Sequence, residues 1–103
     1  NGLVMLSFVR RYPTTPYRFW ALFWLGNAQY VTREYTEAVS NFRALIGEFT
    51  DHPRVPETLL AIANCQIELK DNRAARRTLD DLVKNHPQTE AAQAARERLA
   101  RLR

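Results

Sequence analysis

Few side chains in this sequence are of a type that does chemistry: His52, His86, Cys65 and the adjacent acids Asp80 and Asp81. A histidine can act as a general base or a zinc ligand. Nothing, however, stands at the His-x-x-x-His or Cys-x-x-Cys spacing that would converge on a metal. Both histidines instead precede prolines, Pro53 and Pro87, which predicts that their rings pack against turns. Cys65 has no neighbouring base to draw off its proton and falls on a small-residue position, so a buried, inert thiol is expected. Asp80 and Asp81 cannot share a proton or a cation, because successive residues on a helix point apart; they read as solvated surface. Glycine-rich phosphate loops are missing. No active site, cofactor or metal is expected.

What remains is recognition. Two amides, Asn27 and Asn64, stand 37 residues apart, and so does much of what surrounds them. Residues 22–30 lie over residues 59–67, with Gln29 on Gln66. Ala38 falls on Ala75, Phe42 on Leu79, Leu45 on Leu82 and Ile46 on Val83. Pro16 lies one period before Pro53, and Pro13 two periods before Pro87. A fixed period of this size marks a stacked repeat.

Helices must position these residues, since no segment alternates with a period of two and glycine is scarce. A first helix is expected over 2–12, with Leu3, Leu6, Phe8, Val9 and Tyr12 as its apolar stripe and Pro13 as its stop. Thr15 and Pro16 read as a capping hydroxyl and a proline at the first helical position, opening a second helix over 16–32. Arg33 and Glu34 then make a tight turn into a third helix over 35–49, whose inner face is Ala38, Phe42, Leu45 and Ile46. Residues 50–53 connect to a fourth helix that runs to Lys70, with Pro56 tolerated in its first turn. After Asp71 and Asn72, a fifth helix carries Ala75, Leu79, Leu82 and Val83 and ends before Pro87. Thr89 caps a sixth over 90–102, with Arg96 and Arg103 on its outer face. The expected fold is all-α, a one-domain helical solenoid. It comprises a leading half-repeat at 1–12, repeats at 16–49 and 53–86, and a capping helix at 89–102.

In such a stack the first helix of each pair lines the inner wall. The candidate binding stripe is therefore Trp20, Phe23, Asn27 and Tyr30 (with Val31) on the second helix. It continues as Glu57, Leu60, Asn64 and Ile67 (with Glu68) on the fourth, and Arg101 on the last. Leu22, Leu25, Leu59 and Ile62 lie on the adjoining face and are core candidates. Core packing does not explain amides at matched positions among large apolar side chains. Asn27 and Asn64 can bond a ligand's backbone, while Phe23, Tyr30, Leu60 and Ile67 offer apolar contact. The competing reading has Trp20 and Phe23 covered by neighbouring helices.

Bulk properties narrow the choice. A net charge of +4 on 103 residues, with acids interleaved through most of the chain, falls short of a nucleic-acid signature. Arg73, Arg76, Arg77 and Lys84, with Arg96 and Arg103, still leave a nucleic-acid-binding helical repeat as the opposing class. A lone cysteine allows no internal disulfide. No apolar run is long enough to cross a bilayer, so direct membrane insertion is not expected; residues 19–25 are too few and are flanked by Arg18 and Asn27. The first helix reads as the second member of a pair whose first member would precede it. Met5 and its neighbours then want cover, and self-association through this N-terminal end is expected.

Leu25-Gly26 followed by Ala38-x-x-x-Phe42 resembles the tetratricopeptide repeat, and Ile62-Ala63 followed by Ala75-x-x-x-Leu79 and Pro87 is a looser copy. Leu22 stands where that repeat has Trp, Gln29 where it has Tyr and Thr50 where it has Pro, and the period exceeds the usual length of roughly 34. The long period, with Tyr12-Pro13-Thr14-Thr15-Pro16-Tyr17, Phe23-Trp24-Leu25-Gly26 and Ala95-Arg96-Glu97-Arg98-Leu99, is similar to one branch. That branch is the C-terminal domain of the YbgF/CpoB family of Tol-Pal-associated cell division coordinators. The resemblance implies a periplasmic, non-enzymatic scaffold that binds a TolA-like inner-membrane protein. Through it, outer-membrane constriction would be linked to septal peptidoglycan synthesis by a bifunctional penicillin-binding protein. A trimerising coiled coil, a further helix and an export segment ahead of this stretch are also implied. Outer-membrane assembly lipoproteins of the BamD type use similar Tyr-Pro-x-x-Pro-Tyr spacers, which leaves an assembly scaffold as the alternative.

Overall fold

The computed structural model describes residues 2–11 and 16–102. Among them there is no strand, and six helices follow one another: α1 (Gly2–Arg11), α2 (Arg18–Val31), α3 (Tyr35–Glu48), α4 (Val55–Glu68), α5 (Asn72–Asn85) and α6 (Glu90–Arg101). The sequence period is also a backbone period. Arg18 and Val55 open α2 and α4 37 residues apart, and Tyr35 and Asn72 open α3 and α5 at the same offset. Each helix packs on the next, while α2 also touches α4 and α4 touches α6. Alternate helices thus make one layer, α2–α4–α6, backed by α1, α3 and α5. The result is a slab of 42 × 27 × 17 Å and the all-α repeat that the period implies.

Apolar positions spaced three and four apart on α3 and α5 form the seam. Ala38, Phe42 and Leu45, and their counterparts Ala75, Leu79 and Leu82, are fully buried. Burying each large side chain contributes about 1.5–3 kcal/mol. One cluster joins Phe19, Leu22, Phe42, Leu45, Ile62 and Cys65; the other joins Ala63, Leu79, Leu82, Ala91 and Ala95. Inside the first pair, α2 and α3 meet at a small-against-large contact. A Cβ built on Gly26 would lie 2.4 Å from Cε1 of Phe42, so only glycine fits under that ring. In the second pair the register carries Ala63 and the smaller Leu79, both fully buried.

The turns inside the pairs are also copies. Arg33 and Lys70 each adopt φ 64°, the left-handed conformation that closes a helix. Around Arg33, Glu34 N–H donates to the Gln29 carbonyl at 2.8 Å and Arg33 N–H to Tyr30 at 3.0 Å. Around Lys70, Asp71 N–H donates to Gln66 and Lys70 N–H to Ile67, both at 2.9 Å. The second turn is the better finished, because Asp71 Oδ1 accepts from Ala74 N–H at 3.1 Å whereas Glu34 gives its helix no side-chain cap. Thr89 caps α6 as expected, accepting from Ala92 N–H at 3.1 Å.

The start of α2 differs from expectation: it begins at Arg18, not at Pro16, whereas α4 begins at Val55, just beyond the connector expected over 50–53. Val55 N–H donates to the His52 carbonyl at 3.0 Å, which encloses Pro53 and Arg54 in a turn. Proline's fixed φ suits the second position of that turn as well as it suits a helix start. Tyr17 and Arg54 become the capping residues, and neither makes a side-chain hydrogen bond to its helix. Asn72, expected in the connector, is the first residue of α5, with Asp71 ahead of it. The expectations for Tyr12, Pro13, Thr15 and Arg103 fall outside the described residues.

Candidate partner-binding groove

Two of the reactive side chains, His52 and Cys65, are used in packing. The His52 ring stacks on Phe19 with centroids 3.6 Å apart and nearly parallel planes, and its Nδ1 accepts from Arg54 N–H at 3.0 Å. His86 ends α5, and its carbonyl accepts the Thr89 hydroxyl at 2.8 Å. Cys65 is fully buried, and that burial pushes its thiol up to about 11. Asp80 and Asp81 are both exposed. Among the described residues no cluster of His, Cys, Asp or Glu could hold a metal, and no helix is long and apolar enough to cross a membrane.

The α2–α4–α6 layer brings five of the expected stripe residues together, Glu68 among them. Tyr30 from α2, Asn64 and Ile67 from α4, and Arg101 from α6 line one cavity of about 520 Å³. Glu68, Glu97, Arg98 and Leu102 complete it. Tyr30 packs edge-on against Tyr35, centroids 5.4 Å apart. Burial above all, then the Glu68 carboxylate, raises its pKa, so the phenol stays protonated and can both donate and accept. Arg101 Nε donates to the Glu97 carbonyl at 3.4 Å, which holds its guanidinium along the rim. The site thus combines a phenol and an amide at half-buried positions with two acids and two arginines around them. Hydrogen-bond donors and acceptors therefore stand beside the apolar side chains of Ile67 and Leu102.

The other stripe residues sit elsewhere. Asn27 and Trp20 line a separate cleft between α1 and α2. Phe23 is drawn into an aromatic stack, 5.8 Å from Phe19 and 6.1 Å from Phe42. Leu60 packs against the second core cluster, and Glu57 pairs with Arg54, whose guanidinium also lies 5.6 Å over the Trp20 ring. Asn27 and Asn64 share a register but not a surrounding, because α1 flanks one and α6 the other. Glu97, Arg98 and Leu102 were not expected in a site. Their signal was the continuation of three- and four-residue spacing onto α6, whose Arg101 alone was singled out.

The second repeated amide is structural. Gln66 is buried and its Oε1 accepts from the Thr78 hydroxyl at 2.8 Å, tying α4 to α5. Gln29 has no such tie. Asn41, at the register of Thr78, instead donates to the Leu22 carbonyl at 2.8 Å, and Gln29 Oε1 is buried with no hydrogen-bond partner among the described residues. Two arginines of the nucleic-acid reading also have structural employment. Arg76 donates to the Leu102 carbonyl and Arg96 to that of Pro87, each at 2.9 Å, closing the C-terminal helix onto its neighbours.

Curated proteins yield no match to this chain. The profile of the family described as Tetratricopeptide repeat matches residues 32–99, which takes in α3, α4, α5 and most of α6. With that match laid over paired helices in which Gly26 sits under Phe42, and Ala63 and Leu79 at the same register share a buried cluster, the chain belongs to the tetratricopeptide repeat family.

Proposed function

We propose that the chain is a non-enzymatic interaction scaffold whose α2–α4–α6 groove holds a segment of a partner protein. Tetratricopeptide repeats mediate protein–protein interaction. The observation that carries the reading is the convergence of Tyr30, Asn64, Ile67 and Arg101, from three helices, on one cavity. A phenol and an amide suit a peptide backbone, Ile67 suits an apolar side chain, and the mixed charges suit a partner carrying both signs.

The finer reading rests on resemblance. The 37-residue period, the Tyr12-Pro13-Thr14-Thr15-Pro16-Tyr17 spacer and Phe23-Trp24-Leu25-Gly26 support a periplasmic module of the YbgF/CpoB kind. Its partner would be a TolA-like protein, and its role would be to coordinate outer-membrane constriction with septal peptidoglycan synthesis by a bifunctional penicillin-binding protein. A BamD-like assembly scaffold is the second reading, on the strength of the shared spacer. Calorimetric titration with a TolA-like domain tests both. Asn64→Ala and Arg101→Ala are expected to weaken binding about 5- to 30-fold each, as loss of 1–2 kcal/mol does. Melting temperature should not move, and Asn27→Ala should bind as the parent does. Normal binding by Asn64→Ala and Arg101→Ala would remove this groove from the function, and no binding by the parent would remove the TolA-like partner.

A further inference from the structure

Charge lies almost wholly at the surface of this fold. Of the Asp, Glu, Lys and Arg side chains among the described residues, two are half-buried, Arg18 and Arg98, and the rest are exposed. The two differ in what meets them. Arg18 Nε donates to both carboxylate oxygens of Glu48, at 2.9 and 3.1 Å, so its charge is matched where it leaves water. Arg98, on α6, lines the α2–α4–α6 cavity with no ion pair and no hydrogen-bond acceptor among the described residues. Its neighbours on the same helix are occupied: Arg96 donates to the Pro87 carbonyl and Arg101 to that of Glu97. The repeat does not impose a cation here, since Trp24 and Ala61 stand at the same register two periods and one period earlier. A guanidinium drawn partly out of water without an acceptor is costly, and an anion supplied by whatever fills the cavity would offset that cost.

The surroundings of Arg98 say which anion fits. Burial and then the Glu68 carboxylate raise the Tyr30 pKa, and the Arg98 guanidinium is near enough to pull against both. A protonated phenol beside a guanidinium offers O–H and N–H donors to one acceptor. Ile67 and Leu102 line the same cavity, so an apolar side chain fits next to that acceptor. Glu68 and Glu97, exposed around the cavity, repel a free or multiply charged anion, whereas a single carboxylate carried on a segment is kept in place by the segment's other contacts. We infer, resting on the reading of this groove as the seat of a partner segment, that the segment presents an aspartate or glutamate side chain to Arg98 and Tyr30. An aliphatic residue next to that acid lies against Ile67 and Leu102, and Asn64 is left to the segment's backbone.

The probe is a pentapeptide blocked at both ends, acetyl-Ser-Leu-Glu-Leu-Ser-amide, compared with its glutamine counterpart by nuclear magnetic resonance of the isotope-labelled protein. The glutamate peptide should shift the Arg98 Nε–H and Tyr30 signals saturably and bind at least about tenfold tighter than the glutamine peptide. Arg98→Gln should bring the two affinities together with the fold intact by circular dichroism. If Arg98→Gln unfolds, the two peptides on the parent protein decide alone. Equal affinities, with shifts at Tyr30, Asn64 and Ile67, would overturn the inference and leave the groove reading standing. Shifts confined to residues outside the groove would overturn both. Absence of any shift from the glutamate peptide at millimolar concentration would overturn the inference. So would equally tight binding of inorganic phosphate, or of the glutamine peptide with a free C-terminal carboxylate, which would assign Arg98 to a free anion or to a chain end instead.

Discussion

Gly26 shows how much one hydrogen atom decides in this fold. Gly26→Ala puts a methyl group 2.4 Å from the Phe42 ring and should cost about 1–3 kcal/mol by overpacking. Phe42→Leu alone should cost roughly 1–2 kcal/mol by leaving a void. The two together copy the Ala63–Leu79 contact of the other pair and should recover most of that loss, which a double-mutant cycle in urea would measure. Cys65 offers a check by pH. Its proton is held to about 11 in the fold but leaves near 9, the ordinary thiol value, once the chain opens. The unfolded state therefore sheds protons first, and stability should fall as pH climbs from about 9 towards 11, a decline shallower in Cys65→Ala, which keeps only the contribution of Tyr30, whose pKa is also raised. The glutamines make a third contrast: Gln66→Leu breaks the Thr78 tie and should cost about 1 kcal/mol, whereas Gln29→Leu removes an unsatisfied oxygen and should cost nothing. The repeat predicts these two residues to be equivalent. They are not, because Asn41 and Thr78, one helix away, differ in what their side chains can reach.

At the scale of elements, the turns after α2 and α4 place arginine and lysine where glycine is the usual choice. Arg33→Gly and Lys70→Gly should each stabilise the fold by about 1 kcal/mol, relieving the left-handed strain. Because the turns share no partners, the two gains should add in denaturant titration. Helix existence and order were legible at this scale, since apolar spacing and the 37-residue offset recur in α2 with α4 and in α3 with α5. Helix starts were less so. Pro16 and Pro53 fit a first helical turn and the bend before it equally well, and the hydrogen bond from Val55 N–H to the His52 carbonyl, which settles the second case, joins backbone atoms that no side-chain pattern reports. Thr89 and Asp71, whose own oxygens cap α6 and α5, left a readable trace.

For the whole molecule, the sequence put one continuous stripe on the inner layer, and the fold divides it between two grooves. Spacing shows which side chains share a face of a helix; it does not show which neighbour stands opposite. Asn64 faces α6 and Asn27 faces α1, although the two occupy one register. The same repetition raises a difficulty for a chain that has yet to fold, since α2 and α4 are close to interchangeable, as are α3 and α5. The unequal contacts at Gly26 and Ala63 resolve it. Were α4 to settle on α3 in the place of α2, the Ala63 methyl would meet the Phe42 ring; were α2 to settle on α5, Gly26 would leave a void beside Leu79. Each wrong assembly is opposed, one by overlap and one by emptiness, so the pair of sizes acts as a key for correct partner choice within the chain. The double substitution that restores stability should erase that key. Refolded at high concentration, it should give more exchanged dimer on size exclusion than the parent does, at equal native stability.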